Sequence, residues 1–236
     1  MSVLKNLWFL FVLLGLVLGI SHQTLASEAI RGFDVNLKIN KDSSLQVTER
    51  ILYDFGENER HGIYRNIPYK YKARGGNYVL EIEDIKVVDE FNEAYQFKAS
   101  RQGGSIRIRI GNPDRYVSGR KVYVIKYSVT EGMNYFQEHD ELYWNVTGNE
   151  WEVPSYNVLA RVGLPEEAGQ TRIKAACFAG SFGSDKSCDG YSEADFQGAG
   201  GIEFIQSQLS PGEGMTVVVG IPKGIVIGPT RLDRLK

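Results

Sequence analysis

The chain has 236 residues, 42% of them hydrophobic and 24% charged, with 27 basic side chains against 29 acidic ones and a formal net charge of -2. That length can bury a sizeable core, so the fold needs neither a metal nor a dense disulfide framework. The near-neutral balance argues against a nucleic-acid binder, and the apolar and aromatic content argues against a disordered tail protein.

Residues 1–26 read as a signal peptide. Lys5 supplies the positive start, an uncharged apolar run from Leu7 to Ile20 follows, and Thr24-Leu25-Ala26 offers small residues at the cleavage offsets. The run is shorter than the ~20 residues of a spanning helix, so an anchor is expected only if the leader stays uncleaved. The expected location is extracytoplasmic: periplasm, cell surface or secreted.

From residue 27 the dominant signal is period-two alternation. Phe33, Val35, Leu37 and Ile39 alternate with polar residues, and Leu45, Val47, Ile51, Tyr53 and Phe55 share a second phase. Tyr78, Leu80 and Ile82 share a face before the phase slips to Ile85 and Val87, which predicts a bulge near Glu83-Asp84. Ile106, Ile108 and Ile110 alternate with Arg107 and Arg109, and the pattern returns through 123–129, 142–146, 158–164, 173–177, 202–204 and 217–221. Alternation with one apolar face marks half-buried antiparallel strands. No stretch after the leader keeps a helical period over three turns; single turns near Glu166–Gly169 or Tyr191–Phe196 are the best candidates. The prediction over residues 27–222 is an all-β, antiparallel β-sandwich, immunoglobulin-like in general architecture but larger, with little or no helix after the leader. A second subdomain from about residue 165 would absorb the surplus length. Residues 223–236 turn basic and read as a C-terminal tail or a truncated linker to a membrane segment.

Cys177 and Cys188 flank a small, polar, Gly-bearing segment. In an exported chain this spacing suits a structural disulfide closing a surface loop, and it lacks the CxxC pattern of a redox pair.

Two clusters could carry function. The segment RHGIYRNIP (residues 60–68) places His61, Tyr64 and Arg65 ahead of Pro68, in a loop or edge strand. Arg65 could serve as a fork for a carboxylate or phosphate. It could equally pair with Glu49, which sits in the apolar phase between Val47 and Ile51 and needs a partner if it points inward. The ion pair Glu49–Arg65 is the favoured reading. The segment EHDELYWNVTGNEW (residues 138–151) gathers Glu138, Asp140, Glu141 and Glu150 with Trp144 and Trp151. Carboxylates beside Trp suggest carbohydrate binding or hydrolysis, with Glu141, Trp144, Glu150 and Trp151 as the residues concerned. Trp144, in phase with Leu142 and Val146, also fits a core position. No catalytic residue, no cofactor and no metal site is expected: His61 and His139 are the histidines after the leader, and no nucleophile elbow, P-loop or dinucleotide fingerprint is present.

The order of SLQVTERILYDF, HGIYRNIP, ELYWNVTGNEW and CFAGSFGSDKSC resembles the N-terminal extracytoplasmic domain of bacterial predicted membrane proteins, the domain-of-unknown-function family 2207, over roughly residues 28–225. The resemblance implies an exported β-rich domain, usually followed by transmembrane helices and a low-complexity, often Gly-rich C-terminus. It implies no established activity and no catalytic residues. Membrane attachment is then expected only if the natural chain continues past Lys236 or the leader is uncleaved. The expected function is a non-enzymatic β-sandwich module of the cell envelope that binds an envelope or membrane protein, or a glycan, and not nucleic acid. The alternative is a carbohydrate-binding protein or carbohydrate-active enzyme using residues 138–151.

Overall fold

The computed structural model describes residues 27–73, 76–130, 132–168, 173–196 and 199–228; residues 1–26, expected to be a signal peptide, and residues 229–236 lie outside them. The strands are β1 (Ala29–Ile39), β2 (Leu45–Asp54), β3 (Ile63–Pro68), β4 (Lys70–Ala73), β5 (Gly76–Val79), β6 (Glu81–Val88), β7 (Phe97–Gln102) and β8 (Ser105–Ile110). They continue with β9 (Arg120–Thr130), β10 (Met133–Tyr135), β11 (His139–Asn145), β12 (Ser155–Gly163), β13 (Lys174–Ser181), β14 (Gly190–Phe196), β15 (Ala199–Leu209) and β16 (Glu213–Pro222). Among the described residues, the one helical element is a 3-10 turn at Glu166–Ala168. The chain is all-β, as its alternation requires, and no described helix is long and apolar enough to cross a membrane.

The main layer is a seven-stranded sheet in the order β14-β15-β12-β1-β2-β9-β6. Against its inner face lie a four-stranded sheet, β10-β11-β16-β13, and a three-stranded sheet, β3-β8-β7; β4 and β5 form a separate hairpin. The core is where these inner faces meet: Phe33, Val35 and Leu37 of β1, Ile51 of β2, Ile125 and Val129 of β9, Ile108 of β8, and Val217 and Val219 of β16 are all almost completely buried. The segment after residue 165 is woven into both layers, because β14 and β15 extend the seven-stranded sheet while β13 and β16 join the four-stranded one.

The pairing departs from a purely antiparallel sandwich at one point. β1 and β12 run parallel, with Val35 opposite Ala160 and Leu37 opposite Val162. Alternation specifies which face a residue takes but not the direction of the neighbouring strand, so the parallel pair is invisible in the sequence. The phase slip at Glu83-Asp84 is a bulge: the β6–β9 register shifts between Glu83 and Lys86, and Asp84 takes φ 54°. Of the two single-turn candidates, residues 166–168 form the turn, whereas 191–196 belong to edge strand β14.

Two backbones nearly touch where β3 starts and β8 ends. A Cβ on Gly62 would lie 1.9 Å from the Ile110 carbonyl oxygen, and one on Gly111 would lie 1.9 Å from that of His61. Both glycines hold positive φ, 124° and 128°, which other residues rarely adopt. This crossing fixes the outer end of the three-stranded sheet.

Cys177 and Cys188 are bonded, and residues beyond β13 fold back along it, with Ala179 N–H donating to Lys186 O and Cys188 N–H to Cys177 O. The bridge closes a loop of 11 positions, for which the lost unfolded-state entropy amounts to about 3 kcal/mol. Cys177→Ala with Cys188→Ala is expected to lower the unfolding free energy by about 2–4 kcal/mol, read from urea denaturation of oxidised wild type and variant.

Candidate functional site

The densest polar constellation is buried between the layers. Period-two geometry turns Arg65 of β3 inward between Ile63 and Ile67, and turns Glu49 of β2 inward between Val47 and Ile51. The two meet in a bidentate pair: Arg65 Nε donates to Glu49 Oε2 at 2.7 Å and Nη2 to Oε1 at 2.9 Å. The remaining guanidinium donors are also used. Nη2 donates to Val146 O at 2.9 Å, and Nη1 donates to Thr147 O at 2.7 Å and to Asn66 O at 2.8 Å. Tyr127 Oη of β9 donates to Glu49 Oε1 at 2.6 Å. Five guanidinium N–H groups thus have five acceptors, which a buried arginine needs because an unpaired donor there is costly. The guanidinium also stands over the Phe33 ring, 5.5 Å from its centre.

Burial alone would lower the Arg65 pKa; the Glu49 carboxylate beside it prevails and raises it. Tyr127 is driven the same way by both effects: burial and the Glu49 charge push its hydroxyl well above the usual phenol range. Gly148 completes the node. Its φ of 75° turns the chain, and a Cβ there would lie 3.0 Å from Arg65 Nη1.

The other residues singled out in the sequence separate in space. His61 lies outside β3, exposed, with Nδ1 3.1 Å from Arg115 O and its ring 4.2 Å from that of Tyr116. Tyr64 points outward, half exposed, beneath the Arg107 guanidinium. Arg65 is committed to Glu49 and carries no free fork for an outside anion. Trp144 and Trp151 are buried at 2% and 9% exposure: Trp144 stacks near Tyr127, and Trp151 packs on Phe33 and donates Nε1–H to Thr147 O. Neither indole offers the open face of a sugar platform, which counts against a carbohydrate site built on Trp144 and Trp151. The carboxylates of that segment are also dispersed. Asp140 and Glu141 are adjacent on β11 and point to opposite faces; Asp140 pairs with Lys223 at 2.5 Å, and Glu141 lies 3.7 Å from His139 Nε2. Glu150 Oε2 accepts from Asn66 Nδ2 at 2.6 Å. No group of three or more His, Cys, Asp or Glu side chains among the described residues is placed to hold a metal ion.

What sequence reasoning missed is a groove of about 1220 Å³ over the outer face of the four-stranded sheet. Register builds its floor: Asn145 of β11, Thr216 of β16 and Phe178 of β13 lie in one cross-strand row, with Tyr143 in the row beside it. One wall is the end of the three-stranded sheet, at Pro68 and the Gly103-Gly104 turn, with Lys70 and Val79 of the neighbouring hairpin. The opposite wall is the disulfide loop, where Phe182 is 91% exposed. Glu150 and Asn149 close one side. Glycines at 103, 104, 180, 183 and 214 keep the walls low, so a ligand backbone could approach closely. The only sequence signal for this site is an aromatic residue, Phe182, in an otherwise small and polar loop.

The chain belongs to the family described as predicted membrane protein (DUF2207) N-terminal domain, whose model matches residues 29–221. It is 27% identical over 158 residues to the uncharacterized protein YciQ of Escherichia coli (strain K12), a match that takes in 66% of this chain and spans only 25% of that protein's length. Among solved structures it is similar to native yeast LTA4 hydrolase (TM-score 0.49, 10% identity, 86% of this chain and 30% of that one). A similar likeness holds to the M1 zinc metallopeptidase from Deinococcus radiodurans (TM-score 0.45, 10% identity, 81% and 42%). These are loose likenesses of shape.

Glu49→Ala is expected to cost about 3–5 kcal/mol in urea unfolding, because it strands a buried guanidinium. Adding Arg65→Met should recover part of the loss; full recovery is not expected, since the carbonyl of Val146 loses its guanidinium donor and that of Thr147 keeps only Trp151 Nε1–H. A neutral single variant would contradict the role of the pair. The tyrosines set an alkaline limit. Tyr127 is held neutral as described, and burial with Asp89 and Glu90 pushes Tyr95 up to about 12. The folded state therefore binds these protons more tightly than the unfolded chain. Their contribution is fully present below about pH 10 and is lost as pH rises through the folded values. Urea midpoints should fall steadily above about pH 10, and absorbance of ionised tyrosine should lag behind that of the unfolded chain.

Proposed function

We propose that this chain is a non-enzymatic, extracytoplasmic binding module of a bacterial envelope membrane protein, and that the groove takes an extended polypeptide segment of an envelope or membrane partner. The observation that carries the reading is the groove itself: a floor of Tyr143, Phe178, Asn145 and Thr216 flanked by Phe182 on a disulfide-fixed loop and by low glycine walls. An exposed aromatic at the rim of a preformed cleft is the usual anchor for a ligand. Membership of a family described as the N-terminal domain of a predicted membrane protein supports the envelope setting. The loop disulfide supports export, since such bonds persist in oxidising compartments.

The polar groups at the groove margin are few and mixed in sign: Lys70 on one side, Glu150 and Asp185 on others. Such a site selects by shape and a few hydrogen bonds rather than by charge. Extended peptides selected from a displayed library against the chain should therefore lose about tenfold or more in affinity on Phe182→Ser, and again on Tyr143→Ala, by titration calorimetry with the fold checked by circular dichroism. Equal affinity for both variants would remove the groove as the site. Glycans that bind the chain and are lost on the same substitutions would replace polypeptide by carbohydrate as the occupant.

A further inference from the structure

The outer face of the three-stranded sheet carries charge that the groove does not use. Its strands read IYRNIP, FKASRQ and SIRIRI: Arg65, Lys98, Arg101, Arg107 and Arg109 are basic, and no residue is acidic. This segregation stands out in a chain of net charge -2. Arg65 points inward to Glu49. Arg101 shares the phase of Ile106 and Ile67 and lies over the Tyr69 ring, 5.3 Å from its centre; register places the remaining three. Tyr64, Arg109 and Lys98 form one cross-strand row on the outer face, and Asn66, Arg107 and Ser100 form the next.

Several cations elsewhere meet carboxylates, Arg60 with Glu28 at 2.8 Å, Arg161 with Glu203 at 2.9 Å and Arg31 with Asp54 at 3.2 Å, while Lys38, Lys86 and Lys126 on the outer face of the seven-stranded sheet stand among acidic neighbours. Lys98, Arg107 and Arg109 make no such pair among the described residues. Arg107 instead lies over the half-exposed Tyr64 ring, 4.2 Å from its centre. β7 is the sheet edge, and all six of its residues are exposed, Phe97 included. The face is open around Lys98 and Arg109; at its other row Asn66 Nδ2 donates to Glu150 Oε2, so one carboxylate from outside the sheet borders it.

We propose that this face docks on an anionic phospholipid surface. Cations spread along cross-strand rows suit an extended charged partner better than a single phosphate, which would need converging donors. Positive side chains complement acidic headgroups, and a tyrosine at the same level matches the polar–apolar boundary of a bilayer. In a membrane protein this contact orients the module, with the groove wall at Pro68 and Gly104 set by the far end of the same sheet. The proposal does not depend on what the groove takes.

The test compares three full chains: wild type, K98Q/R107Q/R109Q, and K38Q/K86Q/K126Q. The last removes the same charge from the outer face of the seven-stranded sheet, where exposed lysines are interspersed with Asp34, Glu83 and Glu203. The apolar run Leu7–Ile20 is common to all three, so differences between them report the substitutions. Each is floated with vesicles of phosphatidylcholine alone and with added phosphatidylglycerol, at low and high salt, after urea midpoints establish equal folding. The expected result is preferential binding of wild type to the anionic vesicles, weakened by salt. Affinity should drop on the order of fivefold per cation, about 100-fold for K98Q/R107Q/R109Q, and little for K38Q/K86Q/K126Q. No preference for anionic vesicles, an equal loss in both triple variants, or retention by soluble polyphosphate without vesicle binding would overturn it.

Discussion

Glu49 and Arg65 are nearly inaccessible to water, at 0% and 1% exposure, and so each depends wholly on the other and on the groups around them. An isolated ion in such a place would cost far more than the net stability of a domain. The bidentate pair, the three carbonyls and the Tyr127 hydroxyl convert that liability into a geometric requirement. Three segments must arrive together: β2 with β9 from the seven-stranded sheet, β3 from the three-stranded sheet, and the chain leaving β11 at Val146 and Thr147. A well-packed apolar cluster tolerates sliding by a fraction of an ångström. A fork of five hydrogen bonds does not, so this node supplies the registration between layers that hydrophobic burial alone leaves loose.

The orientation of the outer surfaces follows from that registration. With Arg65 turned inward, its neighbours Tyr64 and Asn66 must face out, and pairing then carries Arg109 and Arg107 of β8 to the same side. A one-residue slip of β3 would bring Tyr64 and Asn66 to the core and expose the guanidinium. The sign and texture of the outer face are thus consequences of one buried carboxylate. The Gly62–Gly111 crossing guards the same register from the other end, because only two glycines allow the backbones so close.

Glu49 is legible in the sequence because it breaks an apolar phase, and its partner could be named because few nearby residues supply a buried cation. The rest of the node is not legible. Tyr127, Val146 and Thr147 lie 78 to 82 positions from their partners, and two of them contribute only backbone carbonyls, which no side-chain pattern reveals. Trp144 shows its core position by phase, whereas Trp151 sits in a connection with no phase to read, and its burial rests on Phe33 and a bond to Thr147. Strand β7 has no buried side and hence no alternation of polarity, which hides Lys98 from a pattern search although Arg107 and Arg109 are plain in β8. The groove was invisible for a further reason. Its floor is the outer face of a sheet whose strands are distant in sequence, and its walls belong to two other units.

The node and the groove share a stretch of chain. Residues 146–148 bond Arg65 and Met215, and the next two, Asn149 and Glu150, stand at the groove margin. Asn149 Nδ2 donates to Gly180 O, and Glu150 accepts from Asn66, so this margin is tied to β13 on one side and to β3 on the other. The opposite wall is held by the disulfide and by Ser184 Oγ donating to Ala179 O. Both sides of the cleft are therefore anchored to strands before anything enters it. A cleft anchored this way is pre-formed, and anything seated in it would order little further chain. The buried charge pair does not line the groove, yet it helps determine where the residues at the groove margin stand.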